Sequence, residues 1–330
     1  MSTDTTPTRR TTVDVHLGAD DIDKALRADV RSGLRSEPKE LPPKWFYDEQ
    51  GSTLFDEITR LEEYYPTEAE REILVANAAE IVALTEAETI IELGSGTSDK
   101  TKAVLDAAMA HGVMRRFVPF DVSEEFLRAS VDELADRYPG LAVHGVVGDF
   151  DHHLPYLPDG DRQLLMLLGG TIGNYRPAER RVLLSAIVGR HRPGDHVLLG
   201  VDLVKDTGRL ERAYDDARGV TAAFNKNVLA VINRRLGADF DLARFEHVAR
   251  FDTENEWIEM LLRSTADQRV LVPALDLEIS FAEGELMRTE VSAKFRRDRF
   301  DAELEDVGLA PVRWMTDAAG DFAVVVSQVR

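Results

Sequence analysis

The chain has 330 residues, 44% of them hydrophobic and 30% charged, with no cysteine, which bounds it to one or two ordinary globular domains and excludes disulfides, thiol nucleophiles and thiolate metal sites. Sixty acidic residues against 40 basic ones leave a formal net charge of −20, a field that repels a phosphate backbone and argues against a nucleic-acid partner. No apolar run reaches the length of a membrane span, and the N-terminal "MSTDTTPTRRTTVDVHL" has arginines without an apolar segment behind them. The expectation is a cytoplasmic protein with no membrane partner, opening on a frayed, disordered tail over residues 1–15.

Residues 16–66 crowd aromatics and prolines into "LPPKWFYDEQGSTLFDEI" and "YYPT", either as a packing layer or as the wall of a ligand pocket. From 67 to 203, helical and extended segments alternate at the spacing of βαβ units. The helix "TEAEREILVANAAEIVAL", with Ile73, Ala76 and Ile81 on one stripe, leads to the strand "TIIELG", the helix "DKTKAVLDAAMA", the strand "RFVPFDV" and the helix "SEEFLRASVDELADRY". The strands "LAVHGVV" and "QLLMLLGG", the helix "PAERRVLLSAIVGRH" and the strand "DHVLLGVDLV" follow. These strands are continuous apolar runs, as parallel strands covered on both faces require, and they predict five strands of a doubly wound α/β sheet.

After Val204 a mostly helical stretch carries Phe224, Val228 and Val231 on one face. "HVARFD", "EWIEMLLRS" and "RVLVPALDLEISF", separated by polar turns, predict antiparallel strands. The helix "RDRFDAELEDVG" and the strand "DFAVVVSQVR" then resume the sheet. The expected division is a sheet domain of 67–203 plus 295–330 and a second, α+β domain of 16–66 plus 204–294.

"ELGSGT", residues 92–97, joins the first strand of the sheet to a helix, the context in which a glycine turn is informative. Asp99 and Lys100 stand where small residues would admit a pyrophosphate, and a carboxylate there repels one. The turn therefore points to a nucleoside without phosphates, the alternative being a plain strand–turn–helix connection. Asp121 ends the second strand, where ribose hydroxyls are held in this architecture, or else caps the next helix. Asp149 and Phe150 offer an acceptor and a ring to adenine, so S-adenosylmethionine fits the set better than NAD. "DFDHH", residues 149–153, has metal-ligand types, but adjacent histidines seldom chelate one ion, and no metal is expected.

The ordered strings "LPPKWFYD", "GSTLFDEITRLEEYYPTEAE", "ELGSGTSDKT", "GGTIGN", "DLVKDTGRLERAYDD", "GVTAAFNKNVLAVINRRL" and "EVSAKF" resemble the histidine-specific, S-adenosylmethionine-dependent methyltransferases of ergothioneine biosynthesis. That family trimethylates the α-amino group of L-histidine to hercynine. The resemblance implies a Rossmann-like class I methyltransferase sheet with a second, substrate-binding α+β domain, acting on a small molecule; a monomer is expected because no exposed apolar helix face stands out. It implies cofactor contacts at Gly94, Ser95, Lys100, Asp121, Asp149 and Phe150. Tyr64, Asn174 and Tyr214 would hold the histidine main-chain groups and Glu290 and Ser292 the imidazole, with Met260 and Val291 also in the substrate site. Tyr47 and Tyr64 are the implied catalytic pair, orienting the amine more than acting as strong bases. Gly170 and Ala293 depart from the family strings, and neither is an implied contact.

Glu290 and Ser292 are two apart on an extended segment and so share a face. A carboxylate and a hydroxyl together match the donor and acceptor nitrogens of a neutral imidazole. Without the resemblance they read as two exposed polar residues of a half-buried strand. Asn174 lies past the fourth strand, at the carboxyl edge where ligands sit in open α/β sheets, unless it caps the helix near Pro177. The competing readings are a methyltransferase of another amino acid or amine, an NAD-dependent oxidoreductase, which Asp99 and Lys100 oppose, and a non-catalytic nucleoside-binding regulator.

Overall fold

The computed structural model describes residues 11–96 and 100–330. The first half of the chain forms β1 (Thr11–Val15), α1 (Ala19–Gly33), α2 (Glu49–Ile58), α3 (Pro66–Thr85), β2 (Thr89–Leu93), α4 (Lys102–His111), β3 (Arg116–Asp121), α5 (Glu124–Arg137), β4 (Ala142–Val147), β5 (Gln163–Leu167), α6 (Pro177–Arg190) and β6 (His196–Asp202). It continues through α7 (Thr207–Tyr214), α8 (Val220–Leu236), β7 (Phe245–Asp252), β8 (Trp257–Ser264), β9 (Gln268–Val272), β10 (Leu277–Phe281), β11 (Leu286–Ala293), α9 (Arg297–Asp306), β12 (Leu309–Thr316) and β13 (Phe322–Val329).

An eight-stranded sheet runs in the order β1-β4-β3-β2-β5-β6-β13-β12. Only β13 runs against its neighbours, β6 and β12. This is the doubly wound, mostly parallel, Rossmann-like sheet that the apolar runs predict. Every residue of β2, β5 and β6 is buried, because helices cover both faces. The chain steps outward from β2 through β3 to β4 and then returns to β5 on the other side of β2, which opens a crevice at the carboxyl ends of β2 and β5.

A second, three-stranded sheet, β11-β8-β7, and a β9-β10 hairpin share a core with α1, α2, α7 and α8 that includes Phe46, Tyr214, Phe224 and Met260. Two further cores lie on either face of the large sheet. Phe224, Val228 and Val231 of α8 are buried as expected. Among the described residues no helix is long and apolar enough to cross a membrane.

Four expectations need correction. Residues 11–15, assigned to the tail, form β1 and pair in parallel with β4, while Val13 and Leu17 pack on the core. β12 was not foreseen: it is an edge strand with Pro311 in it and a register shift between Pro311 and Arg313, so it lacks a continuous apolar run. "RVLVPALDLEISF" is two strands, broken at Pro273–Leu275 and folded back antiparallel. Ala76 of α3 is exposed, and Leu74 and Ala78 fill the stripe beside Ile73 and Ile81.

The entry to α2 fixes the segment that carries Tyr47. Asp48 caps the helix by accepting from the Gly51 N–H at 2.8 Å, and the Asn227 carboxamide of α8 donates to Phe46 O (3.0 Å) and Asp48 Oδ1 (2.7 Å). A Cβ on Gly51 would lie 1.7 Å from Phe46 O. In Gly51→Ala this backbone collision, about 3 kcal/mol, outweighs the up to about 1 kcal/mol that alanine gains in helix propensity. Thermal denaturation should place the variant several degrees below wild type. An unchanged or raised Tm would show that the backbone at Phe46 gives way.

Candidate active site

The turn after β2 opens the crevice. Gly94 and Gly96 have φ of 68° and 48°, a region that favours glycine, and Gly94 N and Ser95 N donate to Phe120 O at 2.8 and 3.1 Å. Asp121 accepts from Gly96 N and from Ser123 N, each at 3.0 Å, so its carboxylate bolts the glycine turn to the end of β3. Burial raises the Asp121 pKa, and the N–H groups of Ser123, Gly96 and Val122 pull against that rise. Ser123, not Asp121, is the N-cap residue of α5. Thr97, Ser98 and Asp99 lie outside the described residues.

Lys100 forms an ion pair with Glu70 of α3, a residue that sequence reasoning missed. Glu70 is fully buried and receives the Gly169 N–H of the loop after β5 at 2.8 and 3.0 Å. A Cβ on Gly200 would lie 1.9 Å from Glu70 Oε1, so the glycine leaves the carboxylate its room. One acid thereby ties the loop after β2 to the loop after β5 across the switch point. Its signal was a glutamate on the buried face of α3, beside Ala69 and Ile73.

At the end of β4, Asp149 accepts from Asp151 N (2.8 Å), with Lys44 Nζ 4.0 Å from its other oxygen. The Phe150 ring stands between Phe120 and Tyr175, at centroid distances of 6.3 and 6.4 Å. His152 is exposed, and among the described residues no group of three His, Asp or Glu is placed to hold a metal. Glu70, Asp121, Asp149 and Asp151 make this end of the sheet acidic. Such a set suits a neutral nucleoside and a sulfonium cation and opposes a pyrophosphate.

The second half of the site lies on β11. Glu290 pairs in register with Met260 and Ser292 with Ile258, so Glu290, Ser292 and Met260 share a face. Val291, opposite Glu259, carries its side chain to the other face of the strand, away from Glu290 and Ser292. The Tyr214 hydroxyl lies 2.8 Å from Ser292 Oγ, and Lys294 Nζ donates to both, at 3.0 and 2.9 Å. Behind Tyr214, its carbonyl accepts from His247 Nε2 (2.8 Å), whose Nδ1 accepts from the Asn225 carboxamide (2.8 Å). Asn174 ends a 3-10 turn in which a Cβ on Gly173 would lie 3.0 Å from Ala293 O, so the turn packs on the end of β11. Arg176 caps α6 with Glu179, which removes the capping role considered for Asn174. The Asn174 carboxamide takes no hydrogen-bond partner among the described residues.

A row of aromatic rings runs from Tyr47 to Tyr214. Tyr47 contacts Phe55 and Phe224 edge-on at 5.5 and 5.4 Å, Phe55 meets Tyr64 at 6.3 Å, and Tyr64 meets Tyr214 at 6.1 Å. The aromatics of residues 16–66 therefore divide: Phe46 is buried core, and Tyr47, 42% exposed, stands at the rim. Desolvation raises the hydroxyl pKa of Tyr47, Tyr64 and Tyr214, and the nearby negative charge of Glu290 adds to the rise in each. They remain protonated at neutral pH and serve as hydrogen-bonding groups, not phenolates. Burial pushes the Glu290 carboxyl up to about 7, against the opposing pull of Lys294.

The family described as histidine-specific, S-adenosylmethionine-dependent methyltransferases matches residues 26–329. The chain belongs to that family. It is 56% identical over 309 residues to the histidine N-alpha-methyltransferase of Mycolicibacterium smegmatis, covering 94% of this chain and 96% of that one. It is 56% identical over 315 residues to the histidine N-alpha-methyltransferase of Mycobacterium tuberculosis, covering 96% and 98%. To ergothioneine biosynthesis protein 1 of Schizosaccharomyces pombe it is 33% identical over 229 residues, covering 65% of this chain and 29% of that protein.

In this methyltransferase the buried Glu290 has a pH signature. Its folded pKa of about 7 lies above the ordinary 4.5, so it costs no stability below that ordinary value and progressively more as pH rises through 7. At about pH 8 the cost is roughly 3 kcal/mol, and Glu290→Gln removes it. The ligand-free Gln variant should melt above wild type at about pH 8, with the gap closing toward about pH 4.5. A gap that does not change with pH would contradict the burial of an ionisable group there.

Proposed function

We propose that the protein transfers three methyl groups from S-adenosylmethionine to the α-amino nitrogen of L-histidine, giving hercynine, the first step toward ergothioneine. The observation that carries the reading is the placement of Glu290 and Ser292 on one face of β11, beside the row of aromatic rings. One accepts the imidazole N–H, and the other meets the remaining ring nitrogen. A side chain without both groups would leave a buried carboxyl and a hydroxyl unpaired, and sites built this way reject such analogues strongly.

In this reading Asn174 and Tyr64 hold the substrate's main-chain groups together with Tyr214, which accepts an N–H of the α-amino group, while the glycine turn, Lys100, Asp121, Asp149 and Phe150 hold the methyl donor. The amine lone pair attacks the methyl carbon, the C–S bond breaks, and sulfur keeps the electron pair as S-adenosylhomocysteine leaves. Each round needs a neutral amine: the α-ammonium of histidine loses a proton before the first transfer, and the mono- and dimethylammonium products each lose one before the second and third. Tyr47 and Tyr64 orient the nitrogen, and their rings face the growing cation. Orientation of this kind lowers the barrier by several kcal/mol.

The separate cores support assigning 16–66 with 204–294 to histidine and 67–203 with 295–330, joined by β1, to the donor. We propose a monomer acting in the cytoplasm.

Incubation with S-adenosylmethionine and a mixture of the common amino acids, read by mass, should show histidine alone gaining three methyl groups. Methylation of another amino acid with histidine unchanged would sink the reading. Tyr64→Phe should lower kcat/KM by roughly ten- to a hundredfold while leaving measurable turnover, the effect of a lost orienting hydrogen bond. Complete loss of turnover at every pH, with histidine binding intact, would make Tyr64 an essential acid or base instead.

A further inference from the structure

The side chain of Lys294, the residue after β11, is fully buried. Its three N–H groups are matched by three acceptors: Asp202 Oδ2 (2.9 Å), Ser292 Oγ (2.9 Å) and Tyr214 Oη (3.0 Å). The two hydroxyl oxygens also bond to each other, at 2.8 Å, so the ammonium and the two hydroxyls form a closed triangle. Each oxygen gives a lone pair to Lys294. Of the two hydroxyl protons one lies in the bond between the oxygens, and the other has no acceptor within the triangle. A phenol is the stronger donor and an aliphatic hydroxyl the stronger acceptor, so Tyr214 donates to Ser292. The lone pairs of Ser292 are then engaged by Lys294 and Tyr214, and its own proton faces outward.

We propose that Lys294 is a specificity-determining positioning residue: by occupying the acceptor side of Ser292 it commits that hydroxyl to donate, so the pocket takes a ring presenting a lone pair there while Glu290 takes the ring N–H. The inference rests on the reading that the imidazole lies between Glu290 and Ser292. It adds a polarity to that reading, because an unaided serine donates or accepts equally well and would greet a ring N–H as readily as a ring nitrogen lone pair. The anchor for Lys294 is Asp202, which also accepts from Tyr65 Oη at 2.8 and 2.9 Å and pairs with Lys205. Lys294 lies two residues beyond Ser292 in "EVSAKF", and the charged run "RRDR" that follows it leaves no local cue that this cation alone is buried.

The test compares histidine with β-(pyrrol-2-yl)alanine, whose five-membered ring has an N–H and no acceptor nitrogen. Wild type should prefer histidine in kcat/KM by roughly a thousandfold or more. Lys294→Met should cut that preference by roughly ten- to a hundredfold, mainly through KM, and should add little to it in a Ser292→Ala background. A purely structural role would lower turnover of both substrates alike and leave the ratio unchanged, which would overturn the inference. Should Lys294→Met fail to fold, the 15N spectrum of ring-labelled histidine bound to wild type with S-adenosylhomocysteine decides. One pyrrole-type nitrogen and one hydrogen-bonded pyridine-type nitrogen are expected, the latter losing its hydrogen-bond shift in Ser292→Ala. A bound imidazolium with two N–H groups would require Ser292 to accept, and would overturn the inference. A wild type that neither binds nor prefers histidine fails the functional reading itself, which the preference of Lys294→Met does not address.

Discussion

Asp202 closes β6, and at its carboxylate the two sheets are joined. It carries two ammonium partners, Lys294 from the end of β11 and Lys205 from its own loop, together with the Tyr65 hydroxyl. Its backbone oxygen accepts from Phe295 N at 2.8 Å, and Val204 N returns a bond to Phe295 O at 3.1 Å. Burial alone would raise this acid, yet the two lysines outweigh it and hold the carboxyl below its ordinary range. A buried pair of this kind is a fixed point: loss of one partner strands a charge in the interior and costs several kcal/mol. The positions of Ser292 and Tyr214 relative to the crevice of the large sheet follow from it.

A second electrostatic chain holds the other flank. Glu40 bridges Arg176, at the start of α6, and Arg288 of β11 (2.7 Å), and Arg288 continues to Glu259 (3.1 Å), which Arg250 also pairs (2.8 Å). β11 is therefore pinned at one end by Glu40 and Arg288 and at the other by Asp202 and Lys294. Glu290 and Ser292 sit between the pins, on the face that looks toward Tyr64 and Tyr214. Tyr64 is the meeting point, because the negative charges of Glu290, Asp202 and Glu70 all act on its hydroxyl.

Much of this was legible in the chain itself, for reasons that differ by element. Buried parallel strands have little to present to solvent, so they appear as apolar runs, unbroken over 164–167 of β5 and interrupted in β2 only by the buried Glu92. The edge strands β1 and β12 alternate or contain proline, and what makes them strands is a neighbour far away in sequence. The same contrast governs the site. Gly94 and Asp121 stand at strand ends and Asn174 in the loop after β5, where local context marks them, and Glu290 and Ser292 are marked by their spacing. Glu70, Asp202 and Lys294 are single polar residues on buried faces, with partners 30 to 99 residues away for Glu70 and 92 residues away between Asp202 and Lys294. Pairing of that kind is a tertiary fact with no local pattern. Val291 shows the converse limit, since its place between two site residues turns its side chain to the opposite face of the strand.

The most direct measurement is a crystal structure with L-histidine and S-adenosylhomocysteine bound together. The account predicts one ring nitrogen within hydrogen-bonding distance of the Glu290 carboxylate, the other within reach of Ser292 Oγ, and the α-amino nitrogen turned toward the sulfur between Tyr47 and Tyr64. An imidazole lying away from β11, or an α-amino group facing away from the sulfur, would contradict it.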